Sequence, residues 1–140
     1  METAKHITAT KSIAAIHKQL LSDAIAAGIS AAEACVPVPM IPVQHANPFD
    51  DSSPIVKAYE PVLGGVCGFA WIVLRPANSK FANYCKTSDA VRTHKNYGGG
   101  LAIWVGAYGQ SMTRKEAYAL AFAKVLRDAG INAYAESRMD

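Results

Sequence analysis

The residues of this chain whose types and spacing admit chemistry gather in one stretch, Gly109-Gln110-Ser111-Met112-Thr113-Arg114-Lys115-Glu116-Ala117-Tyr118, where an apolar segment turns through glycine into a well-signalled helix. Thr113 and Glu116 have the spacing of a capping box, in which a hydroxyl accepts from the third helical amide and a carboxylate reaches back to the cap. Free amides at such a start, with Arg114 and Lys115 beside them, make an anion site when that end faces a cleft. The plainer account is a capped helix carrying two solvated cations.

Other chemical devices do not assemble. His6, His17, His45 and His94 are scattered, with no i,i+4 partner, so no metal is expected. His6-Ile7-Thr8 has the His-x-Thr form of two-histidine phosphoesterases but lacks the second copy that would flank a phosphate. Cys35, Cys67 and Cys85 are odd in number, form no CxxC pair and sit in apolar surroundings, which reads as reduced, buried thiols of a cytoplasmic protein. Glu60, Asp89, Glu116 and Asp128 fall on different elements, so no acid/base pair stands out. The run Gly98-Gly99-Gly100 precedes a strand, whereas phosphate-cradling glycine loops follow one and open a helix. It reads as a tight turn beside which a ligand could approach the backbone. The expectation is a binding protein that uses no cofactor and turns nothing over.

What remains is a polar and aromatic group at strand ends and helix starts: Arg75, Asn78, Ser79, Phe81, Asn96, Tyr97, Gln110, Ser111, Arg114, Lys115 and Tyr118. Rings that stack, with guanidinium and amide donors beside them, are what hold a nucleotide. Arg114, Lys115 and the helix amides would take phosphate, and Phe81 or Tyr97 would stack on the base. Arg75 and Asn96 would complete the pocket, with Gln110 and Ser111 in the wall formed by the helix start.

The elements that must position these residues follow from periodicity. Lys11 to Ala27 places Ile13, Ile16, Leu20, Ala24 and Ala27 at three- and four-residue steps, with Gly28 as a stop and a possible short turn from Ala31 to Cys35. Met1 to Thr10 reads as a polar arm. Five of the seven prolines, Pro37, Pro39, Pro42, Pro48 and Pro54, then exclude a central strand and predict an extended, irregular segment lying on an apolar surface, such as a neighbouring copy. Val66 to Leu74 is apolar on both alternating faces, as in a central strand covered on both sides. Asn78 or Ser79 caps a short helix to about Lys86, Thr87 to Tyr97 reads as a polar loop, and Leu101 to Ala107 as a second strand. A helix from Arg114 to about Ala129 ends at Gly130, and a last strand, Ile131 to Ala135, leaves Glu136 to Asp140 as a tail. The order predicts an α+β fold, a small antiparallel or mixed sheet with helices packed on one face. Residues 1–54 form the helix and proline-rich arm and residues 55–140 the compact core of one domain.

The chain has 140 residues, a net charge of +3, 51% hydrophobic and 18% charged residues. That balance lacks the dense basic stripes of duplex-gripping proteins and suits a small anion as well as a nucleic acid. No run approaches the roughly 20 apolar residues of a membrane helix, so no membrane association is expected, and nothing in the first residues has the form of a signal peptide. The apolar share with few charges points to a homo-oligomer.

From Gly68 onward, Gly-Phe-Ala-Trp-Ile-Val-Leu-Arg-Pro, Ser79-Lys80-Phe81-Ala82, Gly99 to Val105, Gln110-Ser111, Arg114 to Tyr118 and the closing Gly130-Ile131 to Ser137-Arg138 look like small proteins of tailed phages. About half the chain resembles the Thoeris anti-defence 1 family, sponges that sequester cyclic ADP-ribose isomers made by bacterial TIR-domain proteins. The resemblance implies an oligomer in the host cytoplasm that holds a small cyclic nucleotide at subunit junctions without turning it over, with Phe81, Asn96 and Arg114 in contact roles. Thr113-Arg114-Lys115-Glu116-Ala117 after two strands is also similar to the final helix of double-stranded RNA-binding domains, although the third strand here follows that helix. The alternatives are therefore a nucleic-acid-binding or host-protein-interacting phage protein and, third, an enzyme acting on a nucleotide.

Overall fold

The computed structural model describes residues 12–140, so the polar arm expected at Met1–Thr10, with His6 in it, lies outside the described residues. Those residues form α1 (Ile13–Ala34), β1 (Val43–His45), β2 (Ile55–Ala58), β3 (Gly68–Leu74), α2 (Lys80–Thr87), β4 (Arg92–Lys95), β5 (Leu101–Trp104), α3 (Met112–Asp128) and β6 (Ala133–Met139). The strands make two antiparallel sheets, a ribbon β1-β2 and a four-stranded sheet of order β4-β5-β3-β6. From β3 onward the element order is βαββαβ, with the first and third of its strands central, which is the split-βαβ arrangement. The expected α+β fold with helices packed on one face of a sheet is the fold of this chain.

The Ser12 hydroxyl starts α1 by accepting from the Ala15 amide at 3.1 Å. Its buried stripe is Leu21, Ala24, Gly28 and Ala32, at helical spacing, and it packs along α3. Gly28 therefore does not stop the helix. A Cβ at that position would lie 2.8 Å from the Tyr118 ring of α3, so the glycine is the point of closest approach between the two helices. Its helical cost of about 1 kcal/mol relative to alanine is offset by the packing of that ring. Ile13 and Ile16, expected to face inward, are exposed, and the buried stripe begins only at Leu21.

The proline-rich segment supplies no strand to the main sheet. Its β1-β2 ribbon is short, with bridging at Met40 and Val62 beyond it, and Val36, Val38, Phe49 and Leu63 stay exposed around it.

The core lies between the four-stranded sheet and its helices. Ala70, Ile72 and Leu74 of β3 and Leu101 and Ile103 of β5 point into it, against Phe81, Ala82 and Cys85 of α2, Ala119, Phe122, Ala123 and Leu126 of α3, and Leu21 and Ala24 of α1. Two local assignments from sequence hold. Ser79 caps α2, its hydroxyl accepting from the Ala82 amide. Gly130, at φ 86°, follows the C-cap of α3, and the Ile131 and Gly130 amides donate to the Leu126 and Arg127 carbonyls, a Schellman closure.

Three others change. The cap of α3 is Ser111 and the helix begins at Met112, so the Thr113–Glu116 capping box does not form. Arg92 to Lys95 is a strand and not a loop, since β5 supplies a ladder partner that compensates for its polar composition. The expected tail from Glu136 continues β6, paired with β3 as far as Met139 opposite Gly68.

Candidate functional site

Alternation along the strands sorts their residues onto two faces, and the helices cover only one. On the other face the register sets up rows that run across all four strands. One row is Arg92, Trp104, Trp71 and Glu136; the next is His94, Ala102, Val73 and Tyr134; and Phe69 with Arg138 begins the row on the other side of the tryptophans. The sequence reading of β3 as covered on both sides is corrected here: on its second face Val73 is buried but Phe69 and Trp71 are half-exposed, and among the described residues no helix packs on them.

The aromatic groups of this face are held in place. The Trp71 and Trp104 rings are nearly parallel, 9° apart with centroids at 5.7 Å, an offset stack. The Trp71 Nε1–H donates to Glu136 Oε2 at 3.1 Å, which fixes the indole and engages the one carboxylate of these rows. Phe69 lies 5.6 Å from Trp104, with Lys115 Nζ 5.3 Å and the Arg138 guanidinium 5.6 Å from its ring centroid. His94 meets Trp104 edge-on at 6.4 Å.

Beside the tryptophan row the small side chain of Ala102 leaves a groove of about 320 Å³. Trp71, Trp104, His94, Lys95, Asn96 and Tyr97 line it, and Arg92 and Arg138, on the same face as the tryptophans, bring positive charge to it. Tyr97 is fully exposed at the mouth. A planar ring fits against the indoles here, and an anionic group attached to that ring meets the cations.

The residues singled out from sequence separate into three groups. Asn96 and Tyr97 line the groove, and Asn96 also donates from Nδ2 to the Gly99 carbonyl at 2.8 Å, tying the β4-β5 turn. Arg75 serves the same turn, donating to the Gly98 carbonyl at 2.8 Å while its guanidinium lies over Tyr134. The turn is tight enough that a Cβ on Gly100, at φ 91°, would fall 2.5 Å from the Leu74 carbonyl oxygen. Gly98 to Gly100 is thus a structural turn, as its place before a strand indicated.

Phe81 is a correction. It is 2% exposed in the core, edge-on to His17, and has no face to offer a base.

The start of α3 is likewise occupied by the protein itself. Ser111 Oγ donates to the Gly64 carbonyl at 2.7 Å, the Met112 amide donates to Val66, and the Gly68 amide donates to the Gln110 carbonyl. Lys115, 5% exposed, donates to the Gly68 carbonyl at 3.3 Å. Lys115 is therefore a strut between α3 and the first residue of β3, and it reaches the aromatic face only through Phe69. Gln110 is exposed and Arg114 half-buried. Neither lines the groove. Burial and, after it, Glu33 raise the pKa of the Tyr108 phenol, and Arg114 opposes that rise.

Phe69, Trp71, Trp104, Arg92, His94, Lys95 and Arg138 were missed in the sequence. Their signal is that β3 alternates aromatic Phe69 and Trp71 with aliphatic Ala70, Ile72 and Leu74, and that Trp104 repeats the contrast in β5.

Burial pushes the Cys85 thiol up to about 12, so it stays protonated within the core. Among the described residues no three His, Cys, Asp or Glu come together as a metal site, and no helix is long and apolar enough to cross a membrane. Comparison with protein-family models, with curated proteins and with solved structures finds no match for this chain.

Proposed function

We propose that this chain is a non-enzymatic binding protein that holds the base of an anionic nucleotide on the open face of its four-stranded sheet. The observation that carries this reading is the stacked Trp71–Trp104 pair beside the Ala102 groove, with Arg92 and Arg138 around it. Indole faces stack on any base, and guanidinium groups give phosphate paired, charge-assisted hydrogen bonds. Within this class the resemblance to the Thoeris anti-defence 1 family supports a small cyclic nucleotide of the cyclic ADP-ribose type, sequestered by a phage-encoded protein in the host cytoplasm. The exposed Val36, Val38, Phe49 and Leu63 around the arm support self-association in that reading.

The test is retention. The pure chain is incubated with cyclic nucleotides, washed and heated, and the released material is analysed by mass spectrometry while tryptophan fluorescence is followed during loading. Intact ligand with quenched fluorescence is the expected result. Altered ligand would make the protein an enzyme, and neither retention nor quenching of any nucleotide would overturn the reading.

The breadth of the face favours a second reading within the same class, a single strand of nucleic acid.

A further inference from the structure

We infer that the open sheet face binds single-stranded nucleic acid, at least two nucleotides long, lying across the strands from β4 toward β6. The inference rests on the base-binding reading above and names its ligand class.

Stacking surface is present at more than one place. Trp104 and Trp71 stand on the two central strands, and Phe69 adds a third ring beside Trp104. Charge is spread in the same way. On this face Arg92 lies on edge strand β4 and Arg138 on edge strand β6. Four strands at the usual spacing put these edges about 14 Å apart. A single mononucleotide has one phosphate and one base, so it engages one edge. A strand engages both while its bases stack between them.

The opposing charge on the face is small. Glu136 is the carboxylate in the rows, and it already accepts from Trp71. The surface is therefore complementary to a polyanion whose bases are unpaired. A duplex hides its base faces within its own stack, so the aromatic surface selects the single strand.

The test uses the full chain with a fluorescein-labelled octathymidylate, octauridylate, the mononucleotides TMP and UMP, and a DNA duplex of the same length. Anisotropy and tryptophan quenching are read together. One or both octamers should quench and bind at least tenfold tighter than the mononucleotides and the duplex. Two phosphate contacts on a single strand, at Arg92 and Arg138, predict that log K falls with log salt at a slope of about −1.4.

Arg138→Gln, an exposed change that leaves the core untouched, should reduce that slope by about 0.7 and weaken the octamer severalfold. Trp104→Ala should weaken it about tenfold to a hundredfold, with circular dichroism confirming the fold. A mononucleotide that quenches and binds as tightly as the octamer would overturn the strand and leave the base-binding reading standing. A duplex bound as tightly, or a slope near zero, would also overturn the strand. No quenching by any of these ligands or by cyclic nucleotides would overturn both readings.

Discussion

The two faces of the four-stranded sheet are built by alternate residues of the same strands, and they have opposite chemistry. On the helix side Ala70, Ile72, Leu74, Leu101 and Ile103 are aliphatic and buried against α1, α2 and α3. On the other side Phe69, Trp71 and Trp104 are aromatic, half-exposed and bordered by arginine. Aliphatic side chains gain from burial alone, at about 25 cal/mol per Å² removed from water, and interlock with helices. Large rings with cations beside them offer flat, adaptable contact to something that arrives later. The contrast separates stability from recognition within a single layer of backbone.

The separation can be broken from the core side with the largest effect. Phe122→Ala removes a fully buried ring of α3 that packs in the same cluster as Ile72 and Ile103, and should cost about 3–5 kcal/mol in urea denaturation. A loss under 1 kcal/mol would mean that the helix side is not the main source of stability.

A smaller effect tests the same core through pH. Cys85 is raised from 9.0 to about 12 by burial, so above pH 9 the unfolded chain gives up a proton that the native chain keeps. Native Cys85 then holds more protons than its unfolded counterpart, and stability falls as pH rises from 9 toward 12, by about 1.4 kcal/mol per unit from this group. Below pH 9 the contribution is fully present. Cys85→Ala should remove that part of the slope in urea titrations at several pH values, and an unchanged slope would show that the thiol titrates normally.

The smallest effect sharpens the comparison from the open side. Arg92→Gln should change stability by no more than about 0.5 kcal/mol, because the side chain is exposed and makes no ion pair among the described residues. A clear loss of stability would mean that the open face also holds the fold together.

Legibility in the sequence followed the range of the interaction. Gly130 and Ile131 announced the end of α3 because a Schellman closure involves only neighbouring residues, and Ser79 announced the start of α2 for the same reason. Gly28 misled, since its role is set by Tyr118, which lies ninety positions away in sequence. Arg92 to Lys95 looked like loop because its strand character comes from a partner, β5. The candidate site was only half legible: Asn96 and Tyr97 stand out as polar and aromatic groups at a strand end, while Trp71 reads as part of an apolar strand covered on both faces and Trp104 only as part of a second strand.

By itself the sequence determined the α+β class, the central place of the Gly68–Leu74 strand, the glycine turn before Leu101, both ends of α2 and the C-terminal end of α3, since each depends on composition, period or a local cap. Tertiary structure alone decided which of the two alternating sets on β3 and β5 the helices would cover. It also placed Phe81 in the core and tied Ser111 and Lys115 to the Gly64–Gly68 segment. Strand alternation divides residues into two groups but carries no label for inside and outside. That label comes from where α1, α2 and α3 pack, and so the aromatic face became a candidate site only once the helices had taken the other side.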